Sequence, residues 1–98
     1  MPTLTIYSRP DCHLCDIAKE RIDRIRARLS FDLDLVDISH DEDLTTRYGE
    51  RIPVVSIDGE EVFVYRVNEK VLARKLEAAG ARPRGWRDRL RPGGSQNG

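Results

Sequence analysis

The sequence predicts an α/β domain in which a four-stranded mixed sheet is flanked by helices, with elements in the order β-α-β-α-β-β-α over residues 1–81. Three observations predict it. A short β-branched run is followed at once by a long amphipathic pattern, as in a βαβ unit. Two apolar runs then flank Asp58-Gly59, a dipeptide suited to a tight hairpin. A last amphipathic stretch opens on Asn68 and stops at Gly80, so a helix covers the hairpin.

Thr3 to Tyr7 (TLTIY) is β-branched or aromatic except for Leu4 and ends at Ser8, Arg9 and Pro10, which suits a strand running into a loop. From His13 to Leu29 the apolar residues Leu14, Ala18, Ile22, Ile25 and Leu29 recur at spacings of three and four. Charged residues fill the other faces, so this segment is an amphipathic helix packed on a sheet. Phe31 to Ile38 alternates, with Phe31, Leu33 and Leu35 on one face and Asp32 and Asp34 on the other, as in a half-exposed strand. A right-handed crossover makes this strand parallel to the first. Ser39 and Glu42 match a capping box for a short helix that Gly49 closes. Ile52 to Ile57 and Glu61 to Tyr65 form the antiparallel hairpin, and the last helix turns Val71, Leu72, Leu76 and Ala79 inward.

Ninety-eight residues with 39% apolar content support one small domain with a single core. The formal net charge is zero, which gives no global attraction to nucleic acid or to an anionic membrane. From Arg82 onward there are five arginines and one acid, leaving residues 1–81 with 12 basic against 16 acidic groups. Residues 82–98, rich in Arg, Gly and Pro, are expected to form a disordered tail in which Trp86 and Leu90 could make one docking turn. No stretch is apolar enough for a membrane span, and the N-terminus has no leader pattern, so a soluble, cytoplasmic, monomeric protein is expected.

The chemistry concentrates in RPDCHLCD, which holds both cysteines, Cys12 and Cys15. At a strand-to-helix junction Cys12 meets the first helical turn, where unpaired N–H groups and the helix dipole favour an anion such as a thiolate. Thiolates are the species that attack disulfides. Arg9 adds positive charge nearby, His13 does so when protonated, and Asp11 opposes both. Cys15 shares a helix face with Ala18 and Ile22 and is expected to point inward, which suits a division between an attacking Cys12 and a resolving Cys15. A zinc site would need a second ligand pair, and only His13 and the isolated His40 are on offer, so no metal is assigned. A structural disulfide closing so short a loop would stabilise little.

With these residues in place, the chain resembles the glutaredoxin-like branch of the thioredoxin superfamily over about residues 3–80. The resemblance rests on TIYSRPDCHLC, on Ile52-Pro53-Val54 and on the element order. It implies a thioredoxin-like fold, a cis bond before Pro53 beside Cys12, and an Ile52 backbone available to pair with an extended substrate. It also implies a redox-active disulfide without a bound cofactor, with glutathione or another low-molecular-weight thiol open as co-substrate. The chain departs from the family where glutaredoxins usually carry a Gly-Gly pair followed by an acid, reading VYRVNEK instead. The resemblance therefore stops short of a glutathione site, although Arg9, Arg51 and Arg66 could attract a carboxylate.

The resulting expectation is a thiol-disulfide oxidoreductase with Cys12 and Cys15 catalytic, Pro53, Ile52 and Arg9 at the substrate, and His13 tuning the thiolate. Its partner is a protein or small-thiol disulfide, with no role for nucleic acid or membrane. Two alternatives stay open: a redox-sensing or binding module without fast catalysis, and metal or iron-sulfur binding by the cysteines of two chains.

Overall fold

The computed structural model describes residues 1–84, and its frame is the mixed four-stranded sheet with flanking helices. Strand β1 (Thr3–Ser8) leads through a loop into helix α1 (His13–Arg26), and the short strand β2 (Leu29–Ser30) precedes β3 (Asp32–Asp37). A 3-10 turn (Ile38–His40) and helix α2 (Glu42–Tyr48) connect to the hairpin of β4 (Val54–Ile57) and β5 (Glu60–Val64). Helix α3 (Glu69–Ala78) and strand β6 (Arg82–Pro83) follow. The sheet order is β3-β1-β4-β5, with β3 parallel to β1 and the other pairings antiparallel.

One core lies between the sheet and the pair α1 and α3, built on Leu4, Ile6, Ile22, Ile25, Leu72 and Leu76. The helices are tied together by Arg21, whose guanidinium donates to the Val67 carbonyl, and by Arg24, which pairs with Glu69 at 2.9 Å. A second cluster at the sheet's upper end gathers Cys15, Ile38, Tyr48, Ile52 and Val54. The hairpin turn takes positive φ at both Asp58 and Gly59, as a type I′ turn requires. Asn68 caps α3 by accepting from the Val71 N–H at 3.1 Å. The same helix ends in a Schellman motif: Ala81 donates to the Leu76 carbonyl and Gly80, at φ 114°, to that of Glu77.

Several expected details differ. Helix α1 stops at Arg26 because Leu29 is drawn into a small second sheet, where β2 pairs antiparallel with β6. Tertiary pairing here overrides helical periodicity. Arg82 and Pro83, assigned to the tail from sequence, thus belong to a strand, while residues 85–98, including Trp86 and Leu90, lie outside the described residues. Leu14 is 37% exposed, its inward place taken by Cys15 at the proper spacing from Ala18. The cap of α2 is Asp41, which accepts from the Leu44 N–H, because Ser39 is engaged in the 3-10 turn with Asp37. Ala79 is exposed as the C-cap that follows α3. Leu35 is 58% exposed because β3 is an edge strand. No helix among the described residues is long and apolar enough to cross a membrane.

Candidate active site at the start of the first helix

The loop from Arg9 to Asp11 turns the chain from β1 into α1, and Asp11 makes the turn at φ 63°, a left-handed conformation that aspartate tolerates better than most residues. Cys12 is then the N-cap of α1, with extended backbone at φ −110° and ψ 107°. Its Sγ accepts the backbone N–H of Cys15 at 3.3 Å, doing with sulfur what a serine or aspartate cap does with oxygen. The first helical hydrogen bond follows directly, from the Asp16 N–H to the Cys12 carbonyl at 3.1 Å. A hydrogen bond of this kind strengthens when the sulfur is negative.

Both cysteines are free thiols, Cys12 half-buried and Cys15 completely so. Burial pushes the Cys15 thiol up to about 12, and its hydrogen bond to the Cys12 sulfur pushes in the same direction. A backbone hydrogen bond from Arg9 and the charge of Lys19 pull more weakly the other way. The inner cysteine is thus a proton-holding thiol set behind the outer one.

Around the pair stand Ile52, Tyr48, Val54 and Tyr7. The Ile52-Pro53 bond is cis, and Pro53 is fully buried. Tyr7 and Tyr48 stack at 4.3 Å between centroids, and Arg47 and Arg51 lie over the Tyr48 ring at 5.4 and 5.5 Å. Burial and then the neighbouring Tyr48 raise the Tyr7 phenol above its ordinary range. Arg51 also pairs with Glu61 at 3.2 Å, so its charge is already engaged, whereas Arg66 is exposed beside Tyr65. His13 and Arg9 are exposed, the first opening α1 and the second on the loop before it. His40 ends the 3-10 turn, 3.5 Å from Asp37. Among the described residues no group of three or more His, Cys, Asp or Glu is gathered in a way that could hold a metal ion.

Sequence reasoning missed Tyr65. It follows β5 at φ 70°, donates its N–H to the Pro53 carbonyl at 2.8 Å and its hydroxyl to the Glu50 carbonyl at 2.8 Å, and remains 47% exposed. An aromatic residue rarely takes that backbone conformation, and nothing in the local sequence announces it. Tyr7 and Tyr48 were visible only as strand and helix residues, since their stacking needs the sheet to bring them together.

The family described as "Glutaredoxin-like domain (DUF836)" matches residues 3–77. Among solved structures, the structural genomics target XcR50 from X. campestris is 36% identical, with a TM-score of 0.64 over 76% of this chain and 96% of that one. Protein Ne2328 from Nitrosomonas europaea is 29% identical, with a TM-score of 0.58 over 76% and 89%. A mutant thioredoxin from Halobacterium salinarum, 20% identical, superposes with a TM-score of 0.60 over 79% and 73%, a likeness of fold alone. The uncharacterized protein Rv0508 of Mycobacterium tuberculosis is 27% identical over 73 residues, 69% of this chain and 75% of that protein.

Proposed function

The chain belongs to the glutaredoxin-like domain family (DUF836), and from that premise we propose that it is a cytoplasmic thiol-disulfide oxidoreductase working through a Cys12-Cys15 dithiol/disulfide pair. The observation that carries the reading is the cap itself: an accessible sulfur receives the Cys15 N–H at a helix start, with a second, buried thiol directly behind it. Cys12, as thiolate, attacks one sulfur of a substrate disulfide. The Cys12–substrate bond forms, the substrate S–S bond breaks, and one thiolate leaves to take a proton from water. Cys15 gives up its proton and attacks Cys12 Sγ, which closes the internal disulfide and releases the second substrate thiol. An external dithiol, or two molecules of a small thiol such as glutathione, returns two electrons to the pair.

In this reading Arg9 supports the thiolate, His13 tunes it, the buried Pro53 shapes the groove from beneath, and the Ile52 backbone pairs with an extended substrate. Protein disulfides come before glutathione as substrate. Where glutaredoxins usually carry a Gly-Gly pair and an acid for the γ-glutamyl end, this chain reads VYRVNEK, and within that stretch the Asn68 side chain is occupied in capping α3.

The test is the equilibrium reduction potential of the pair, titrated in dithiothreitol and glutathione buffers and read by thiol alkylation. A two-electron transition between roughly −270 and −200 mV supports a cytosolic reductase. Failure to form an intramolecular disulfide at any poise overturns the reading.

A further inference from the structure

Strand β3 is an edge strand of six residues in regular register with β1, and among the described residues no strand pairs with its outer side. Natural edges are often shortened, bulged or interrupted by proline, none of which β3 shows; what guards it is charge, from the exposed Asp32, Asp34 and Asp37. Leu35, the most exposed apolar side chain of the strand at 58%, lies on the side that faces α1. Beside it runs a groove. A small apolar hollow of about 100 Å³ lies between Leu33, Leu35, Ile22 and Lys19. It shares Lys19 and Leu35 with a cleft of about 190 Å³ that reaches Arg9 and Pro10, on the loop that carries Cys12.

The charge of this edge is one-sided. Asp32, Asp34 and Asp37 are exposed along β3, and Asp16 and Asp23 line the groove from α1, against Lys19 and Arg9 among its described lining, with His40 3.5 Å from Asp37 at the strand's end. Asp37 is held ionised by the Ser39 amide and hydroxyl, at 2.9 and 2.6 Å, which lower its proton affinity. A free strand edge offers backbone hydrogen bonds, Leu33 and Leu35 offer an apolar floor for alternate side chains, and five carboxylates select against an acidic chain.

We propose that the outer edge of β3 is a docking strand for an extended, cationic segment of the protein whose disulfide this chain exchanges. The segment adds to the sheet beside β3, seats apolar side chains over Leu33 and Leu35, and turns lysines or arginines toward Asp32 and Asp34. That the partner is the redox substrate rests on the function proposed above. The docking itself does not, because the groove uses neither cysteine.

The test uses the full chain, uniformly ¹⁵N-labelled, and a blocked cysteine-free peptide of alternating lysine and valine. Amide shifts centred on residues 32–37, slowed hydrogen exchange along β3, and affinity that falls with added salt are expected. The double variant Asp32→Asn/Asp34→Asn should weaken binding about tenfold. Leu35→Ser, a change at an exposed position, should weaken it as well, and Cys12→Ser should leave it unchanged. Shifts confined to residues 52–65, equal binding of a glutamate–valine peptide, no shifts at all, or a groove already filled by residues 85–98 or by a second copy would each overturn the proposal. If docking persists while the cysteine pair proves inert in the redox titration, it is the oxidoreductase reading that fails.

Discussion

The Cys15 N–H donates to Cys12 Sγ at 3.3 Å, so the residue whose amide the Cys12 sulfur caps also stands behind that sulfur with a buried thiol. The two cysteines are thereby made unlike. One is presented to solvent at a helix start, and the other is enclosed by Ile38, Tyr48, Ile52 and Val54. That asymmetry bears on thiol reactivity and stability and, on the proposed function, on turnover.

Alkylation of the reduced protein should be selective. Cys15 has no exposed surface and its thiol is pushed up to about 12, so at neutral pH it supplies almost no thiolate. Iodoacetamide at pH 7 should give a single adduct at Cys12, with Cys15 reacting at least about a hundredfold more slowly until denaturant is added. Intact mass and peptide mapping read the result. Equal modification of both thiols in the folded protein would contradict the burial on which the assignment rests.

Removing the inner thiol should arrest exchange halfway. With Cys15→Ser, the Cys12–substrate disulfide has no internal attacker and should accumulate as a covalent adduct visible on a non-reducing gel. Cys12→Ser should give neither adduct nor turnover. Turnover of a protein disulfide by Cys15→Ser at the parent rate would show that resolution comes from an outside thiol.

The same thiol makes stability depend on pH. An ordinary thiol at 9.0 in the unfolded chain is raised to about 12 in the folded one, so between these values the folded protein holds a proton that the unfolded chain has lost. The contribution is complete below pH 9 and declines as pH rises toward 12, with a slope of at most about 1.4 kcal/mol per pH unit. Urea unfolding of the reduced protein at pH 8, 9 and 10 should show this loss. Cys15→Ala, which has no thiol to titrate, should show a shallower decline.

The features legible in the sequence are those set by neighbours along the chain. Asp58-Gly59 specified its own turn, Asn68 its own cap, and the spacing of Ala18, Ile22 and Ile25 the buried face of α1. The features it hid depend on distant partners. Leu29 left its helix to pair with Pro83, Leu35 lost cover because no described strand lies beyond β3, and Tyr65 took its conformation from contacts with Pro53 and Glu50. At the site, the cysteine pair stood out by spacing and residue type, and the Ile52-Pro53 dipeptide through the resemblance to the thioredoxin superfamily. The Tyr7-Tyr48 stack did not, since 41 positions of chain separate its members.

The start of α2 offers a direct comparison between a local motif and the observed fold. Ser39 and Glu42 have the spacing of a capping box, which would make Ser39 the cap and have Glu42 reach back to its N–H. The Ser39 N–H and hydroxyl are instead bound by Asp37, and the Leu44 N–H is taken by Asp41 at 3.1 Å. Asp41→Ala should therefore cost about 1 kcal/mol of stability, the usual loss on removing an N-cap side chain. Glu42→Ala, which removes any side chain able to reach back to Ser39 along with a first-turn charge, should cost no more than about 0.5 kcal/mol. Chemical denaturation of the two variants at pH 7 decides between them: a larger loss at Glu42 than at Asp41 would restore the capping box and move the helix start back toward Ser39.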